Sequence, residues 1–175
     1  AMMDAAKAAT TTINLETYIF DRDEIGMQFA DILIEKQKQG VTVNVLYDSV
    51  GTLGTPKEFF NRMRDAGIRL IAFNPVNPAK RLGKWEINNR DHRKLMIVDG
   101  RVAFTGGINI SSTYANSSFF RSRQSPGTVS EQDVGWRDTH IKIEGPAVAA
   151  LQWTFINAWV QQEGGDLPER EYFPR

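Results

Sequence analysis

Short apolar runs alternating with longer stretches of helical periodicity constrain this chain more than any other feature of its sequence. Ile13–Phe20, Val41–Tyr47 and Ile68–Phe73 read as strands. Between them, Glu24–Gln39 places Ile25, Phe29, Ile32 and Leu33 at helical spacing and stops at Gly40, and Pro56–Ala66 is a second helix closed by Gly67. Met2–Ala9 reads as the end of a helix. Further along, Asp138–Ile143 alternates as a strand, and Gly145-Pro146 opens a helix with proline in its first turn. Strands separated by amphipathic helices predict an α/β fold, a mostly parallel or mixed sheet flanked by helices on both faces. No internal repeat is visible. A length of 175 residues suits one domain with room for a substantial core. We place that domain at residues 1–162, with 163–175 (Gly164-Gly165-Asp166-Leu167-Pro168 within it) as a linker or exit segment towards a further unit.

The region most suggestive of chemistry runs from His92 to Asn109. His92 and Lys94 are followed by Asp99, Gly106-Gly107 and Asn109, in the spacing H-x-K-x4-D-x6-G-G-x-N. Arg93–Val98 is rich in apolar residues, and a second apolar run, Val102–Phe104, follows directly, so Asp99-Gly100 reads as a tight hairpin turn. Side chains alternate along an extended segment, so His92 and Lys94 project from one face. Gly106-Gly107 lets the backbone turn back closely, and Asn109 returns beside the pair. An imidazole, an ammonium and an amide donor around one point suit a negatively charged tetrahedral phosphate. The imidazole can attack phosphorus while Lys94 and Asn109 stabilise its oxygens. The chain supplies its own control, because only two histidines are present. His140-Ile141-Lys142 repeats H-x-K, but Ala147 stands where the aspartate belongs and no Gly-Gly-x-Asn follows. We read His140 as a strand residue, at the surface or packed.

The spacing around His92 resembles the signature of the phospholipase D superfamily, whose members carry out phosphodiester chemistry. The likeness extends to Ile13-Asn-Leu-Glu-Thr-Tyr-Ile-Phe20 with Asp23, Gly40–Gly51, Ala66-Gly67-Ile68, Phe73-Asn74-Pro75, Asn89-Arg90-Asp91-His92 and Gly135-Trp136-Arg137-Asp138-Thr139. With Gly145-Pro146-Ala147-Val148, Phe155 and Trp159, these stretches are similar to the first catalytic half of bacterial cardiolipin synthases, over roughly residues 5 to 162. The resemblance implies a phospholipase D-like half-domain and transfer through a phosphohistidine. The activity it implies is a phospholipid phosphatidyltransferase (cardiolipin synthase) or a phospholipase D acting on an anionic phospholipid such as phosphatidylglycerol. Such catalytic units contain two motifs around one active site, and one is present here. A second half is therefore expected, in the same polypeptide or in a homodimer partner. A metal-independent endonuclease acting as a homodimer and a non-catalytic lipid-binding half-domain are the alternatives.

The resemblance also implies roles. In related single-motif enzymes a carboxylate at about the place of Asp138 holds the nucleophilic histidine in its tautomer and stabilises the imidazolium. Asp99 belongs to the motif but sits at the turn, where a structural role suits it better than proton transfer. Glu16 and Asp48 are strand carboxylates that stand behind the site as supporting candidates. Arg90 and Arg93 are candidate phosphate contacts, and Gly106 and Gly107 shape the substrate-binding wall. No metal-ligand spacing is recognisable, so no metal and no cofactor are expected.

Composition narrows the partners. Lys+Arg 21 against Asp+Glu 21 leaves no net charge, so a bulk electrostatic pull towards nucleic acid is missing. No cysteine is present, which removes disulfides and thiolate metal sites. No apolar run approaches the roughly 20 residues that span a bilayer, and no signal peptide is recognisable. The expected location is cytoplasmic or peripheral at the bacterial inner membrane. Two irregular segments, Asn74–Asn89 and Tyr114–Asp133, mix aromatic with basic residues: Lys80, Arg81, Lys84 and Trp85 in one, Phe119, Phe120, Arg121 and Arg123 in the other. Such loops suit an anionic membrane surface, or the stacking of nucleic-acid bases, or simple coverage of a sheet edge.

Overall fold

The computed structural model describes residues 1–75, 90–115, 138–162, 164, 165, 167 and 172–174. In chain order they form α1 (Met2–Ala8), β1 (Thr12–Thr17), α2 (Glu24–Lys38), β2 (Thr42–Asp48), α3 (Lys57–Asp65) and β3 (Arg69–Phe73). β4 (Leu95–Val98), β5 (Val102–Gly106), α4 (Ser112–Ala115), β6 (His140–Glu144) and α5 (Ala147–Gln161) follow. Apart from Asn74, Pro75, Tyr114 and Ala115, the two aromatic-and-basic segments lie outside the described residues.

The six strands make one sheet in the order β3-β2-β1-β4-β5-β6. β1, β2 and β3 run parallel, as their connecting helices require. β4 joins β1 antiparallel, and β5 and β6 continue antiparallel. The sheet is thus the mixed form of the expected α/β fold. Its parallel half comes from the helical crossovers and its antiparallel half from the Asp99-Gly100 hairpin. That turn is as tight as its sequence suggests: Asp99 and Gly100 have φ of 53° and 60°, and Arg101 N donates to Val98 O at 3.0 Å.

Alternation sorts the strand residues between two layers. Ile13, Leu15, Val43, Val45, Met96, Val98 and Phe104 pack beneath α1, α2 and α3, against Phe29, Leu33, Phe59, Phe60 and Met63. On the other face Leu46, Leu95, Ile97 and Ala103 meet Val148, Phe155, Ala158 and Trp159 of α5. That second face also carries polar residues. Asn44 Nδ2 donates to Asn14 Oδ1 at 2.8 Å and to Tyr172 Oη at 3.0 Å, and Asn14 Nδ2 donates to Gln152 Oε1 at 3.2 Å. All four residues are fully buried. This chain of amides ties β1 and β2 to α5 and to Tyr172, which lies within the segment we expected to lead away from the domain.

α2 begins where Asp23 caps it, the carboxylate accepting from Gly26 N at 2.9 Å. β1 ends earlier than the apolar run Ile13–Phe20 suggests. Beyond Thr17 side-chain bonds interrupt the ladder, with Thr17 Oγ1 donating to Ile19 O at 2.8 Å and Ile19 N donating to Asn109 Oδ1 at 3.1 Å, before Phe20 pairs with Ile110 by backbone bonds. β4 likewise starts at Leu95, so His92, Arg93 and Lys94 stand just ahead of the strand. Among the described residues no helix is long and apolar enough to cross a membrane.

Candidate active site

Because β4 runs antiparallel to β1, the entrance of β4 lies beside the exit of β1. Glu16 faces Leu95 across the ladder, so Tyr18 emerges next to His92-Arg93-Lys94. The β5 exit at Gly106 ends at the same edge, since Leu95 pairs with Thr105. Three chain ends thus converge at the carboxyl ends of the parallel strands, where open α/β sheets place their ligand sites.

His92 is exposed, and its imidazole stacks on the Tyr18 ring with centroids 3.9 Å apart and planes 20° from parallel. Lys94 Nζ lies 5.3 Å from the same ring centroid and donates to His92 O at 2.6 Å. The two motif side chains therefore share one face, as their alternation suggests. Burial pushes the Lys94 ammonium below its usual range, while the charges of Asp138 and Asp91 act to raise it. That ammonium sits between the charges of Asp138 and Asp91 and an open edge, where it suits an anionic ligand.

Gly106 and Gly107 are required by close packing. Gly106 has φ of 148°, and a Cβ there would stand 2.2 Å from Thr139 O. A Cβ on Gly107 would stand 2.6 Å from Asp138 Oδ1. Gly107 N also donates to Thr139 O at 2.9 Å. Together these contacts bring the exposed Asp138 over the glycine pair, within electrostatic reach of Lys94.

Asn109 is 5% exposed and engaged at both ends: Oδ1 accepts from Ile19 N, and Nδ2 donates to Tyr114 Oη at 2.8 Å. It braces the β1 exit against α4. Asp99 lies at the far end of the hairpin, where it accepts from Thr10, Thr11 and Thr12 rather than from any group near His92.

The supporting carboxylates fall directly under the motif. Asp48 accepts from Asp91 N at 3.1 Å through Oδ2 and from Val50 N and Gly51 N through Oδ1. Glu16 is 1% exposed, with Arg93 Nη2 2.9 Å from its Oε1. Arg93 also holds Asp91, with Nε–Oδ1 at 3.0 Å and Nη2–Oδ2 at 3.1 Å. Arg90 donates to Ser49 Oγ at 3.2 Å and to Asn74 O at 3.1 Å. Both arginines that sequence suggested as phosphate contacts are thus engaged with the protein itself. His140 is half-buried on β6 opposite Gly106, with neither ring nitrogen hydrogen-bonded, and burial pushes its pKa down.

Three residues of this edge carried no role in the sequence reading. Tyr18, Asp91 and Tyr114 touch His92, Arg93 and Asn109 respectively. Asp91 had a signal, being an acid next to the motif histidine. Tyr18 had a weaker one, an aromatic at the end of a strand that aims at the site.

Residues 2–119 match the family model described as "Cardiolipin synthase, PLD-like domain". The chain is 37% identical over 180 residues to cardiolipin synthase 1 of Bacillus cereus, covering 99% of this chain and 33% of that protein. It is 37% identical over 171 residues to cardiolipin synthase of Alkalihalophilus pseudofirmus, covering 98% of this chain and 31% of that protein. The chain thus spans about a third of the length of the curated relatives it matches. Among solved structures, the phospholipase D family member Nuc from Salmonella typhimurium shares the fold at a TM-score of 0.59 and 18% identity, covering 98% of this chain and 88% of that one.

Proposed function

The chain belongs to the phospholipase D-like domain family of cardiolipin synthases, and from that premise we propose that its site transfers a phosphatidyl group between alcohols. The observation that carries this reading is the placing of His92 and Lys94 together on the Tyr18 ring at an open edge, with Asp138 in electrostatic reach. The nucleophile is His92 or its counterpart in a second half, supplied by the same polypeptide or by a partner copy.

In the first step an imidazole nitrogen attacks the phosphorus of phosphatidylglycerol, the P–O bond to glycerol breaks, and the opposing histidine gives its proton to the departing alkoxide. In the second step that histidine takes the proton of a hydroxyl on a second phosphatidylglycerol. The freed oxygen attacks phosphorus, the P–N bond breaks, and cardiolipin leaves. Lys94 neutralises charge on the phosphoryl oxygens, and Asn109 Nδ2 can join it by exchanging Tyr114 Oη for a substrate oxygen. Asp138 supports the imidazolium. Gly106 and Gly107 keep the wall flat enough for the headgroup. The lipid substrate places the working protein at a membrane surface.

The test is product identity. The intact protein is incubated with phosphatidylglycerol in mixed micelles, and lipids and water-soluble products are separated. Cardiolipin and glycerol in equal amounts are expected. Phosphatidic acid in place of cardiolipin would make water the acceptor, and metal-independent cleavage of plasmid DNA with lipid untouched would overturn the reading in favour of a nuclease.

A further inference from the structure

Beneath the exposed His92 lies a buried cluster of charge that takes no part in the chemistry just described. Glu16, near the end of β1, is 1% exposed and Asp91 is 6% exposed. Arg93 touches both, with Nη2 2.9 Å from Glu16 Oε1 and the guanidinium on both oxygens of Asp91. Two buried carboxylates share one guanidinium that is itself half exposed, which leaves one negative charge in excess among the buried groups. Neither Glu16 oxygen receives an aligned N–H or hydroxyl hydrogen bond, so nothing else among the described residues solvates an ionised Glu16. A single proton shared with Asp91 restores the balance.

The electrostatics agree. Burial pushes the Glu16 carboxyl up to about 9, with the Asp91 hydrogen bond and charge adding to the rise and Arg93 opposing it. Burial also pushes Asp91 up, but the hydrogen bonds it receives from Glu16 and Arg93 outweigh that and hold it below its usual range. Both shifts favour one proton shared by the pair at neutral pH.

The cluster grips the backbone on both sides of His92. Asp91 N donates to Asp48 Oδ2 at 3.1 Å, and Arg93 N donates to Asp91 Oδ1 at 3.0 Å. Residues 91–94 lie outside any strand or helix, so no ladder of backbone bonds fixes them. Arg93, half exposed, turns its guanidinium onto Glu16 and Asp91, while His92 and Lys94 pack against Tyr18. We propose that Glu16 is a positioning residue for the transfer reaction, holding the backbone around His92 through its bridge to Asp91 and Arg93. The proposal rests on the reading of this edge as the catalytic site and adds to it a residue that never meets substrate. It also assigns Arg93 to the support of the site.

Glutamine keeps a neutral donor to Asp91 and an acceptor for Arg93, whereas leucine keeps only the volume. The test measures kcat and KM of the intact protein on phosphatidylglycerol micelles for wild type, Glu16→Gln and Glu16→Leu, with His92→Ala as the inactive reference. Glu16→Leu should lose kcat by about tenfold to hundredfold at nearly constant KM, the cost of a misplaced reacting group, and Glu16→Gln should recover most of it. Wild-type activity should fall as pH rises past about 9, where Glu16 loses its proton beside Asp91. Glu16→Gln should lack that component of the fall. Full kcat in Glu16→Leu beside an inactive His92→Ala would overturn the proposal alone. If Glu16→Leu does not fold, an alkaline limb in Glu16→Gln identical to wild type overturns it equally. A His92→Ala protein that kept turnover would overturn the reading of the site, and the proposal with it.

Discussion

Replacing Asp99 by alanine separates the two services that the motif's aspartate can perform, to the fold or to the chemistry. Its carboxylate accepts from the amides of Thr10, Thr11 and Thr12 at 2.9, 2.8 and 3.0 Å and from the hydroxyls of Thr10 and Thr11 at 2.9 Å. These five donors staple the entry of β1 to the β4–β5 turn. Thr10 and Thr11 are exposed and regain water when the carboxylate is removed, whereas Thr12 is buried. Discounted for that exposure, the three amide bonds contribute about 1 kcal/mol each, or about 3 kcal/mol together. Asp99 also has φ of 53°, where alanine costs about 1 kcal/mol more than asparagine. We expect a loss of about 4 kcal/mol for Asp99→Ala and about 1–2 kcal/mol for Asp99→Asn. Each kcal/mol lowers Tm by about 2–4 °C in a chain of this size, so the alanine variant should melt about 8–16 °C below wild type. Burial pushes the Asp99 carboxyl up, but the three amides and the Thr10 hydroxyl outweigh it and hold it below its usual value of 3.8. Its stabilisation is therefore present above the unfolded value and lost as pH falls through the folded one, so the alanine variant should have the flatter acid limb. Thermal and urea unfolding run beside lipid turnover decide the matter. An Asp99→Ala protein with wild-type melting and no turnover would refute the structural assignment.

Three further outcomes follow from the geometry. Tyr18→Phe, which keeps the ring under His92 and Lys94, should retain most of kcat, while Tyr18→Leu should lower it about tenfold with the fold intact by circular dichroism. Phe155→Ala empties the fully buried contact between α5 and the sheet and should cost about 3–5 kcal/mol in urea unfolding. Because the Glu16 carboxyl is raised from 4.5 to about 9 in the folded chain, its contribution is fully present below the unfolded value and lost as pH rises towards 9. Wild type should therefore lose stability relative to Glu16→Gln between pH 5 and pH 8, and parallel melting profiles across that window would contradict the shared proton.

The sequence exposed the α/β alternation because strand and helix periods differ, and it exposed the hairpin because Asp-Gly tolerates the left-handed turn that joins β4 to β5. It also pointed to His92 and Lys94 by spacing alone. It could not show that the β1 ladder is interrupted beyond Thr17, since the side-chain bond that interrupts it comes from Asn109, some ninety positions away. Nor could it show that Arg93 turns inward to Asp91 and Glu16, because a motif gives the order of side chains and not their partners. Tyr18 escaped notice for the same reason. Its place under His92 is set by the antiparallel pairing of β4 with β1, a topological fact that no local pattern encodes.

The central claim is that His92 belongs to a phosphodiester-transfer site, and the most direct measurement is cardiolipin formation by the intact protein with His92 replaced by alanine. His92 is exposed and makes no buried side-chain hydrogen bond among the described residues, so the variant should melt within about 1–2 °C of wild type. Turnover should fall by about a thousandfold or more, the scale of losing a covalent or acid–base group. Turnover within about tenfold of wild type, in a protein of unchanged melting, would contradict the account.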